Sequence, residues 1–316
     1  LYHEGDVVDQ AVFKGVTDRW KSFETKLTVP RSNKEQNGFL VVLTAEGPAD
    51  IYVDQTNMFP ADTVGGGLDP QSVEQIKKLK TGWVRWPGGN YASSYHWREG
   101  VGPLTERVTR PNPTWIGLNS HYFGTDEYMK FNKLANLEPL ITVNAGTGTP
   151  EEAAQWVEYA NGTTDTPMGQ LRAENGHPSP YDVKYWNIGN ELWGFWQAGY
   201  ATPSEYVDRY RNFTKAMAQK DSALEFISIG VGPFSVGTKR WTDMLIEQVN
   251  QHHDIIDFHA YVGVPNYLDL DDKKSLETLT HIPVAFEQGL MAFRDRAQEI
   301  GQGDLDVIVG EYNNRT

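Results

Sequence analysis

The sequence predicts an α/β protein of the (β/α)8 (TIM) barrel type, incomplete in this chain and preceded by part of a β-sandwich. From Asp69 onward, short apolar segments with strand character alternate with segments of helical character. This alternation is typical of parallel strands joined by right-handed crossovers. Polar residues stand at the carboxyl ends of these strands, which favours a barrel, because all strand ends of a barrel converge on one mouth. In a doubly wound sheet, the alternative, only the strands beside the switch point need polar ends.

The composition limits the classes of protein and partner. The chain has 316 residues, 39% of them hydrophobic, a net charge of −14 and no cysteine. This length suits one barrel with a small extra module. The negative charge disfavours nucleic acids and anionic membranes as partners, and no apolar run approaches the ~20 residues that cross a bilayer. The missing cysteines exclude disulfides, thiolate nucleophiles and cysteine-ligated zinc.

Residues 1–60 differ in pattern from the rest of the chain. The segments FLVVLTAEG and ADIYVDQTNMF are rich in β-branched and aromatic residues, have glycine or proline nearby, and show no helical period. We therefore expect residues 1–60 to be the end of a β-sandwich and residues 61–316 to be the barrel domain.

The barrel prediction rests on six apolar strands with helices between them. The predicted strands are Gly82–Trp86, Pro139–Asn144, Val183–Asn190, Glu225–Gly230, Ile255–Tyr261 and Asp306–Glu311. The predicted helices are residues 70–80, 124–136, 150–161, 203–220, 239–251 and 284–300. Several of these helices begin at a proline, which is favoured in the first helical turn.

Two glutamates are the main catalytic candidates. Glu191 and Glu311 each close an apolar strand, so on a barrel mouth they would face each other across a cleft. Glycoside hydrolysis needs such a pair, because one carboxylic acid protonates the leaving oxygen while a carboxylate acts on the other face of the sugar. The alternative is that each is a solvent-facing strand end or an ion-pair partner of Arg85.

The segment RWPGGNYASSYHW contains further candidates. Arg85 lies inside an apolar strand, where it needs an anionic partner. The turn at 87–89 is either a plain tight connection or a place where the backbone approaches a ligand. In the second case Asn90, Tyr95 and Trp97 would line the mouth.

The remaining polar motifs point to no cofactor. NAGTGTP has neither the Lys-Ser/Thr pair of a phosphate-binding loop nor the full dinucleotide spacing. His252, His253 and His259 lack a metal-binding spacing with nearby carboxylates. We expect His259 to be an orienting hydrogen-bond donor at a strand end. We expect neither a metal ion nor an organic cofactor.

Six motifs in collinear order carry a family resemblance. RWPGGN, HYFGTDEY, NAGTGTPEEAAQWVEYAN, KYWNIGNELWG, FHAY and VGEYNN resemble glycoside hydrolase family 51, the α-L-arabinofuranosidases, from about residue 51 to residue 316. The resemblance implies a retaining, exo-acting hydrolase that removes α-L-arabinofuranosyl groups from arabinoxylan, arabinan or their oligosaccharides. The expected partner is therefore a plant cell-wall polysaccharide or oligosaccharide.

The resemblance also implies roles for single residues. Glu191 would be the general acid/base and Glu311 the nucleophile. Arg85 would keep the nucleophile ionised, and Tyr261 would donate a hydrogen bond to it.

Three further positions would bind the sugar. The resemblance places Asn190 on the hydroxyl next to the reacting carbon, and it places Asn90 and Trp115 in the lining of the sugar pocket.

The chain departs from the family pattern at both ends. It lacks the Gly-x-Phe-x-Glu-like stretch that carries another sugar-binding glutamate on the family's first barrel strand. Residues 1–60 resemble the end of a carbohydrate-binding-type sandwich that some members insert after that strand. The eighth strand and a C-terminal β-sandwich would follow Glu311. We therefore expect an internal piece with barrel strands two to seven and two exposed sheet edges.

Two other functions stay open at this point. An endo-β-1,4-glucanase or xylanase of the same clan would keep both glutamates but need an open cleft. A non-catalytic sugar-binding protein on a hydrolase scaffold belongs to another class. We expect an extracellular or periplasmic location and leave a homo-oligomer open.

Overall fold

The computed structural model describes residues 1–3, 5–29, 38–232, 239–263 and 271–315. The strands in these ranges are β1 (Tyr2–His3), β2 (Asp6–Val7), β3 (Trp83–Trp86), β4 (Arg110–Pro111), β5 (Leu118–Asn119), β6 (Glu138–Val143), β7 (Tyr185–Ile188), β8 (Glu225–Ile229), β9 (Ile255–Gly263) and β10 (Asp306–Arg315). The α-helices are α1 (Pro70–Leu79), α2 (Thr125–Ala135), α3 (Pro150–Asn161), α4 (Pro167–Glu174), α5 (Pro203–Ala218), α6 (Lys239–Gln248) and α7 (Asp272–Glu299). Short 3₁₀ helices occupy Gly89–Ser94, Trp97–Gly100 and Leu104–Glu106.

One parallel sheet organises the chain. Its six strands follow one another in the order β3-β6-β7-β8-β9-β10, and every neighbouring pair is parallel. Because each crossover moves one strand further in the same direction, right-handed connections place all the helices on one side of the sheet. Such a singly wound sheet curls into a barrel, whereas a doubly wound sheet reverses direction. The six predicted strands and the barrel class are thus confirmed.

Threonine caps and prolines mark the starts of three helices. A threonine precedes the proline that opens α3, α4 and α5, and its hydroxyl accepts a backbone N–H of the first turn. The bonded pairs are Thr149 with Glu152, Thr166 with Gly169 and Thr202 with Glu205. Each such cap contributes about 1 kcal/mol to the helix. None of the helices in the described ranges is long and apolar enough to cross a bilayer.

Two helices differ from the sequence-based prediction. α4 was not predicted, although its threonine cap and proline are the usual start signals, because it is only 8 residues long. α7 begins at Asp272 instead of 284, and Pro283 lies inside it. The helix begins earlier because Asp271 caps it, with its side chain accepting from the Lys274 N–H.

Aromatic side chains fill the core between the sheet and the helices. The rings of Trp97 and Trp156 stack with centroids 6.3 Å apart, and Trp156 meets Trp186 edge to face at 5.9 Å. Trp97 Nε1 donates to the backbone oxygen of Glu152 on α3. The prediction that Tyr95 and Trp97 line the mouth is wrong, because both rings are buried, where each contacts Trp156 of α3.

The described part of residues 1–60 forms little regular structure. β1 and β2 make a short antiparallel hairpin, and Leu40 forms an isolated bridge with Tyr2. Beyond that bridge, the segments FLVVLTAEG and ADIYVDQTNMF form no strand in the described part of this region, which omits residues 4 and 30–37. A strand requires a hydrogen-bonded neighbour, and these segments have no backbone ladder here. The sandwich module and the division at residue 60 stay predictions.

Candidate active site

A β-bulge places Glu311 at the mouth of the sheet. The register between β10 and β9 shifts between Val309 and Glu311, so Gly310 has no partner opposite and Glu311 lies beside His259. The Gly310 N–H donates to Asp257 Oδ1 at 2.6 Å. A Cβ atom at position 310 would lie 2.4 Å from the carboxylate oxygens of Asp257, so this position requires glycine. The bulge turns the strand locally and aims the next side chain.

Three donors surround the Glu311 carboxylate. Arg85 donates from Nη2 to Oε1, and the backbone N–H of Gly89 reaches the same oxygen at 3.2 Å. The Tyr261 hydroxyl donates to Oε2 at 2.6 Å. The Arg85 side chain is only 4% exposed, so its charge is poorly screened by water. Donors of this kind suit an ionised carboxylate, and Arg85 has the anionic partner that its place in an apolar strand predicts.

Arg85 also links Glu311 to Asn190. Its Nη1 donates to Asn190 Oδ1 at 3.1 Å and to Thr142 Oγ1 at 3.4 Å. The backbone oxygen of Asn190 accepts from Gln197 Nε2 at 2.6 Å, which holds the turn after β7. Among the described residues, Asn190 Nδ2 has no hydrogen-bond partner. A buried amide donor without a partner is costly to the protein, so it is a candidate contact for a ligand hydroxyl.

Glu191 follows β7 in an unusual backbone conformation. Its φ is +43°, in the left-handed region that a side chain other than glycine rarely adopts. Residues held in this region cluster at functional sites, where the surrounding structure offsets a cost of about 1–3 kcal/mol. Glu191 Oε1 lies 2.8 Å from His259 Nδ1, and both side chains are largely buried.

The two glutamates are close enough to act on one bond. A carboxylate oxygen of Glu191, one of Glu311 and a ring nitrogen of His259 all lie within 4.8 Å of one another. A carboxyl separation of about 5 Å is typical of retaining glycosidases, and inverting enzymes have about 6.5–9.5 Å. The spacing alone would also admit a metal ion. However, Arg85 already supplies positive charge to Glu311, and a dication beside it would be repelled, so we assign no metal ligand.

The His259 ring lies between two carboxylates, that of Glu191 and that of Asp257. Its Nε2 lies 3.5 Å from Oδ2 of Asp257, which is buried and accepts from Asn187 Nδ2 at 2.8 Å. Burial alone lowers the pKa of His259, but the hydrogen bonds to Asp257 and Glu191 and the charges of Asp257 and Glu311 raise it to about 9. A pKa of about 9 favours the imidazolium at neutral pH, which can donate to both carboxylates. The role of His259 as an orienting donor stays a prediction.

The sequence-based search missed Asp257 and Asn187. Asp257 stands two residues before His259 on β9, and residues at that spacing point to the same face of a strand. A carboxylate and a histidine on the same face of the apolar segment IIDFHAY were the available signal.

The structure brings most of the predicted site residues together. Those joined by direct hydrogen bonds or ion pairs are Arg85, Asn190, Glu191, His259, Tyr261 and Glu311. Asn90 follows Gly89, the residue whose N–H reaches Glu311, and its backbone oxygen accepts from Thr114 Oγ1 at 3.4 Å. The hydrogen bonds and ion pairs of the described residues do not join Trp115 to these six, and its side chain is 58% exposed.

Exposed aromatic rings follow Glu191 in sequence. Phe195 and Trp196 are 84% and 51% exposed, and their rings meet edge to face at 5.1 Å. Trp193 packs against Trp196 in the same way at 5.4 Å. The loop that follows Glu191 thus exposes aromatic rings, in contrast to the buried aromatic core.

Comparison with known proteins identifies the family. The sequence model of the family described as "Alpha-L-arabinofuranosidase 1 domain" matches residues 75–276. The chain is 44% identical over 170 residues to an "Alpha-L-arabinofuranosidase C" from Emericella nidulans, a match that covers 54% of this chain and 34% of the relative. It is 36% identical over 188 residues to an "Intracellular exo-alpha-L-arabinofuranosidase" from Bacteroides ovatus, which covers 59% of this chain and 36% of the relative.

Solved structures agree with the sequence comparison. The arabinose complex of the α-L-arabinofuranosidase from Thermotoga maritima superposes with a TM-score of 0.73 at 31% identity, covering 84% of this chain and 53% of that one. A family GH51 enzyme from Thermotoga petrophila gives a TM-score of 0.69 at 31% identity, covering 81% and 52%. This chain spans about half or less of the proteins that it matches. It belongs to the α-L-arabinofuranosidases of glycoside hydrolase family 51.

Proposed function

We propose that the protein containing this chain is a retaining glycoside hydrolase that releases terminal α-L-arabinofuranosyl groups. The observation that carries this proposal is the pair of carboxylates, Glu191 and Glu311, with oxygens within 4.8 Å of each other. That spacing suits double displacement on one glycosidic bond. The relatives are named arabinofuranosidases, and their names indicate that the sugar released is an arabinofuranosyl group.

In the first step, Glu311 is the nucleophile. Its carboxylate attacks the anomeric carbon and forms a covalent ester while the bond to the leaving oxygen breaks. Glu191 donates the proton that the leaving oxygen needs. Arg85, Tyr261 and the Gly89 N–H keep the Glu311 carboxylate oriented for the attack.

In the second step, Glu191 acts as a base. It removes a proton from a water molecule, whose oxygen attacks the anomeric carbon and displaces Glu311. Arabinose leaves with the configuration of the substrate, because two inversions have taken place. Both carboxyl groups then return to their initial protonation states.

The substrate would be held by polar groups inside the mouth and by aromatic rings at its rim. The unpartnered Nδ2 of Asn190 suits the hydroxyl next to the reacting carbon. We place Asn90 and the exposed ring of Trp115 in the lining of the sugar pocket. The polymers we propose are arabinoxylan and arabinan, together with their oligosaccharides. Export to the cell exterior or periplasm stays a prediction.

Hydrolysis rates on three substrates test this function. The full-length protein is assayed side by side on an aryl α-L-arabinofuranoside, an aryl β-xyloside and carboxymethylcellulose. We expect turnover of the arabinofuranoside alone, and its loss in Glu311→Gln. Preferred hydrolysis of carboxymethylcellulose or the xyloside would instead establish an endo-glucanase or xylanase. Saturable binding of arabinose oligosaccharides without turnover of any substrate would establish a sugar-binding protein.

A further inference from the structure

Asp257 is a buried carboxylate to which the double-displacement mechanism assigns no role. It lies on β9 beneath the site and receives hydrogen bonds from two other strands. Asn187 Nδ2 on β7 donates to Oδ2 at 2.8 Å, and the Gly310 N–H on β10 donates to Oδ1 at 2.6 Å. Burying a carboxylate is costly unless its charge is matched. Both of these donors are neutral, so they leave the charge of Asp257 without a counterion.

His259 supplies the missing counterion. Its Nε2 lies 3.5 Å from Asp257 Oδ2, and its Nδ1 lies 2.8 Å from Glu191 Oε1. Both ring nitrogens therefore face carboxylate oxygens, which only accept hydrogen bonds when ionised. Only the imidazolium form donates from both nitrogens. The ring thus connects a carboxylate with no catalytic role to the proposed general acid/base.

We propose that Asp257 is a positioning residue that makes His259 the proton reserve of Glu191 and, through Gly310, anchors the bulge that aims Glu311. One proton can lie either on His259 or on Glu191. The pair of imidazolium and ionised Glu191 therefore holds as many protons as the pair of neutral imidazole and protonated Glu191. The Nδ1 proton can move to Glu191 Oε1 and on to the leaving oxygen, while Nε2–H keeps its ion-pair contact with Asp257. When Glu191 later takes a proton from water, that proton returns to Nδ1. The catalytic part of this inference rests on the proposed function.

The charged and titratable groups around His259 agree with this role. Asp257 lies on its own strand, Glu191 follows β7, and Glu311 lies on β10 with Oε2 3.6 Å from Nδ1. Arg85 and the Tyr261 hydroxyl both contact Glu311, and the Arg85 charge partly offsets the attraction of that carboxylate for the imidazolium.

A further titratable group, Tyr206 on α5, interacts electrostatically with Asp257. The pKa of Tyr206 on α5 is raised by its burial and by the charge of Asp257. Its hydroxyl stays protonated and adds no charge. For His259, the effect of the surrounding carboxylates on the pKa is larger than the opposing effect of burial, and its pKa is raised to about 9.

The decisive experiment is a titration of the His259 ring by NMR. The chain is labelled with ¹⁵N and ¹³C in histidine, and the signal is assigned by its loss in His259→Gln. We expect His259 to titrate near pH 9 in the unmodified protein and at least about one pH unit lower in Asp257→Asn, since the amide keeps the size but not the charge. Asp126→Asn is the matched control, because Asp126 is another buried carboxylate, bonded to Tyr159 and Tyr181. It should leave the His259 titration unchanged.

A second measurement needs no variant that could fail to fold. Above pH 9 the ¹⁵N shifts of the neutral ring report which nitrogen keeps its proton. We expect the Nε2–H form, because Asp257 holds that proton. A neutral ring protonated at Nδ1, or a His259 titration that Asp257→Asn leaves in place, would overturn the proposal.

The catalytic consequence has a separate readout. The basic limb of the kcat/KM profile on the aryl arabinofuranoside should move to lower pH in Asp257→Asn, with kcat changed more than KM. In a His259→Gln background, Asp257→Asn should cause no further shift. A basic limb that stays in place while the NMR titration moves would show that the proton reserve has no part in turnover. If no arabinofuranoside is hydrolysed, the proposed function fails, whereas the NMR titration still decides the Asp257–His259 link.

Discussion

The ends of β7 and β10 each present a glutamate to the same mouth, but they hold it in different ways. Glu311 accepts hydrogen bonds from the Arg85 guanidinium, the Tyr261 hydroxyl and the Gly89 N–H, and His259 lies farther from it, at 3.6 Å. Glu191 has a single described side-chain partner, His259, which titrates. Permanent donors suit a nucleophile that stays ionised. A titratable partner suits a residue that gives up a proton and takes it back.

The backbone also holds the two glutamates in different ways. Glu311 follows a bulge inside a continuous strand, where the ladder with β9 resumes directly after it. Glu191 stands outside its strand in a left-handed conformation, at the start of a loop with exposed aromatic rings. The proposed nucleophile thus lies within the sheet, and the proposed proton donor lies at the start of a loop.

The largest expected effects come from removing either glutamate. Glu311→Ala should abolish turnover, because no covalent ester can form. Glu191→Ala should lower turnover of natural substrates by about 10²–10⁴-fold, the usual contribution of general acid/base catalysis. With an activated aryl leaving group, the first step of Glu191→Ala needs little acid help, so the covalent intermediate should accumulate.

Added azide distinguishes the two glutamates. It should restore turnover of Glu191→Ala and give an arabinosyl azide with the configuration of the substrate. Any azide product from Glu311→Ala should have the inverted configuration. The opposite pattern would exchange the two roles, and rescue of neither variant would remove the support for double displacement.

Replacement of Arg85 should have the next largest effect. Arg85→Met keeps an unbranched chain but removes the guanidinium, which leaves the Glu311 carboxylate without that cation. Loss of such a preorganised charged donor costs about 10²–10³-fold in kcat. The acidic limb of the rate profile should move to higher pH, because the ionised carboxylate loses its counterion. Arg110→Met, at an exposed ion pair with Glu99, is the control and should change neither quantity. Equal activity of both variants would make Arg85 a purely structural residue.

The titratable partner of Glu191 should also affect stability. The pKa of His259 is about 9 in the folded protein and 6.5 ordinarily. A raised folded-state pKa stabilises the protein fully below pH 6.5, and this contribution is lost as the pH rises through 9. The effect is about 1.4 kcal/mol for each unit of pKa difference. Urea unfolding between pH 6 and 10 should show this loss in the unmodified protein and in His281→Gln, but not in His259→Gln.

The smallest effect is expected at the rim of the mouth. Trp115→Ala should raise KM for arabinoxylan oligosaccharides by less than about tenfold, the scale of one aromatic stacking contact. Turnover of a small aryl arabinofuranoside and the free energy of unfolding should not change, because the ring is exposed. Ile116→Ala, its exposed neighbour, should alter none of these values. A large loss of kcat in Trp115→Ala would place this residue inside the reacting site.

The local sequence was sufficient to locate the six strands, the starts of α1, α3 and α5 at prolines, and the polar residues at the strand ends. It did not reveal α4, which is short. These features depend on periodicity, capping and composition, which are properties of neighbouring residues. Because parallel strands direct their carboxyl ends to one mouth, Arg85, Glu191 and Glu311 could be expected to meet there.

Contacts between distant segments were decided only by the tertiary structure. The Gly310 bulge exists because the Asp257 carboxylate occupies the space of a side chain, and the two residues are far apart in sequence. The burial of Trp97 depends on its contacts with α3. The charge of His259 depends on carboxylates from three strands or strand ends. Such electrostatic and packing terms depend on distance in space, and residue spacing along the chain does not determine that distance.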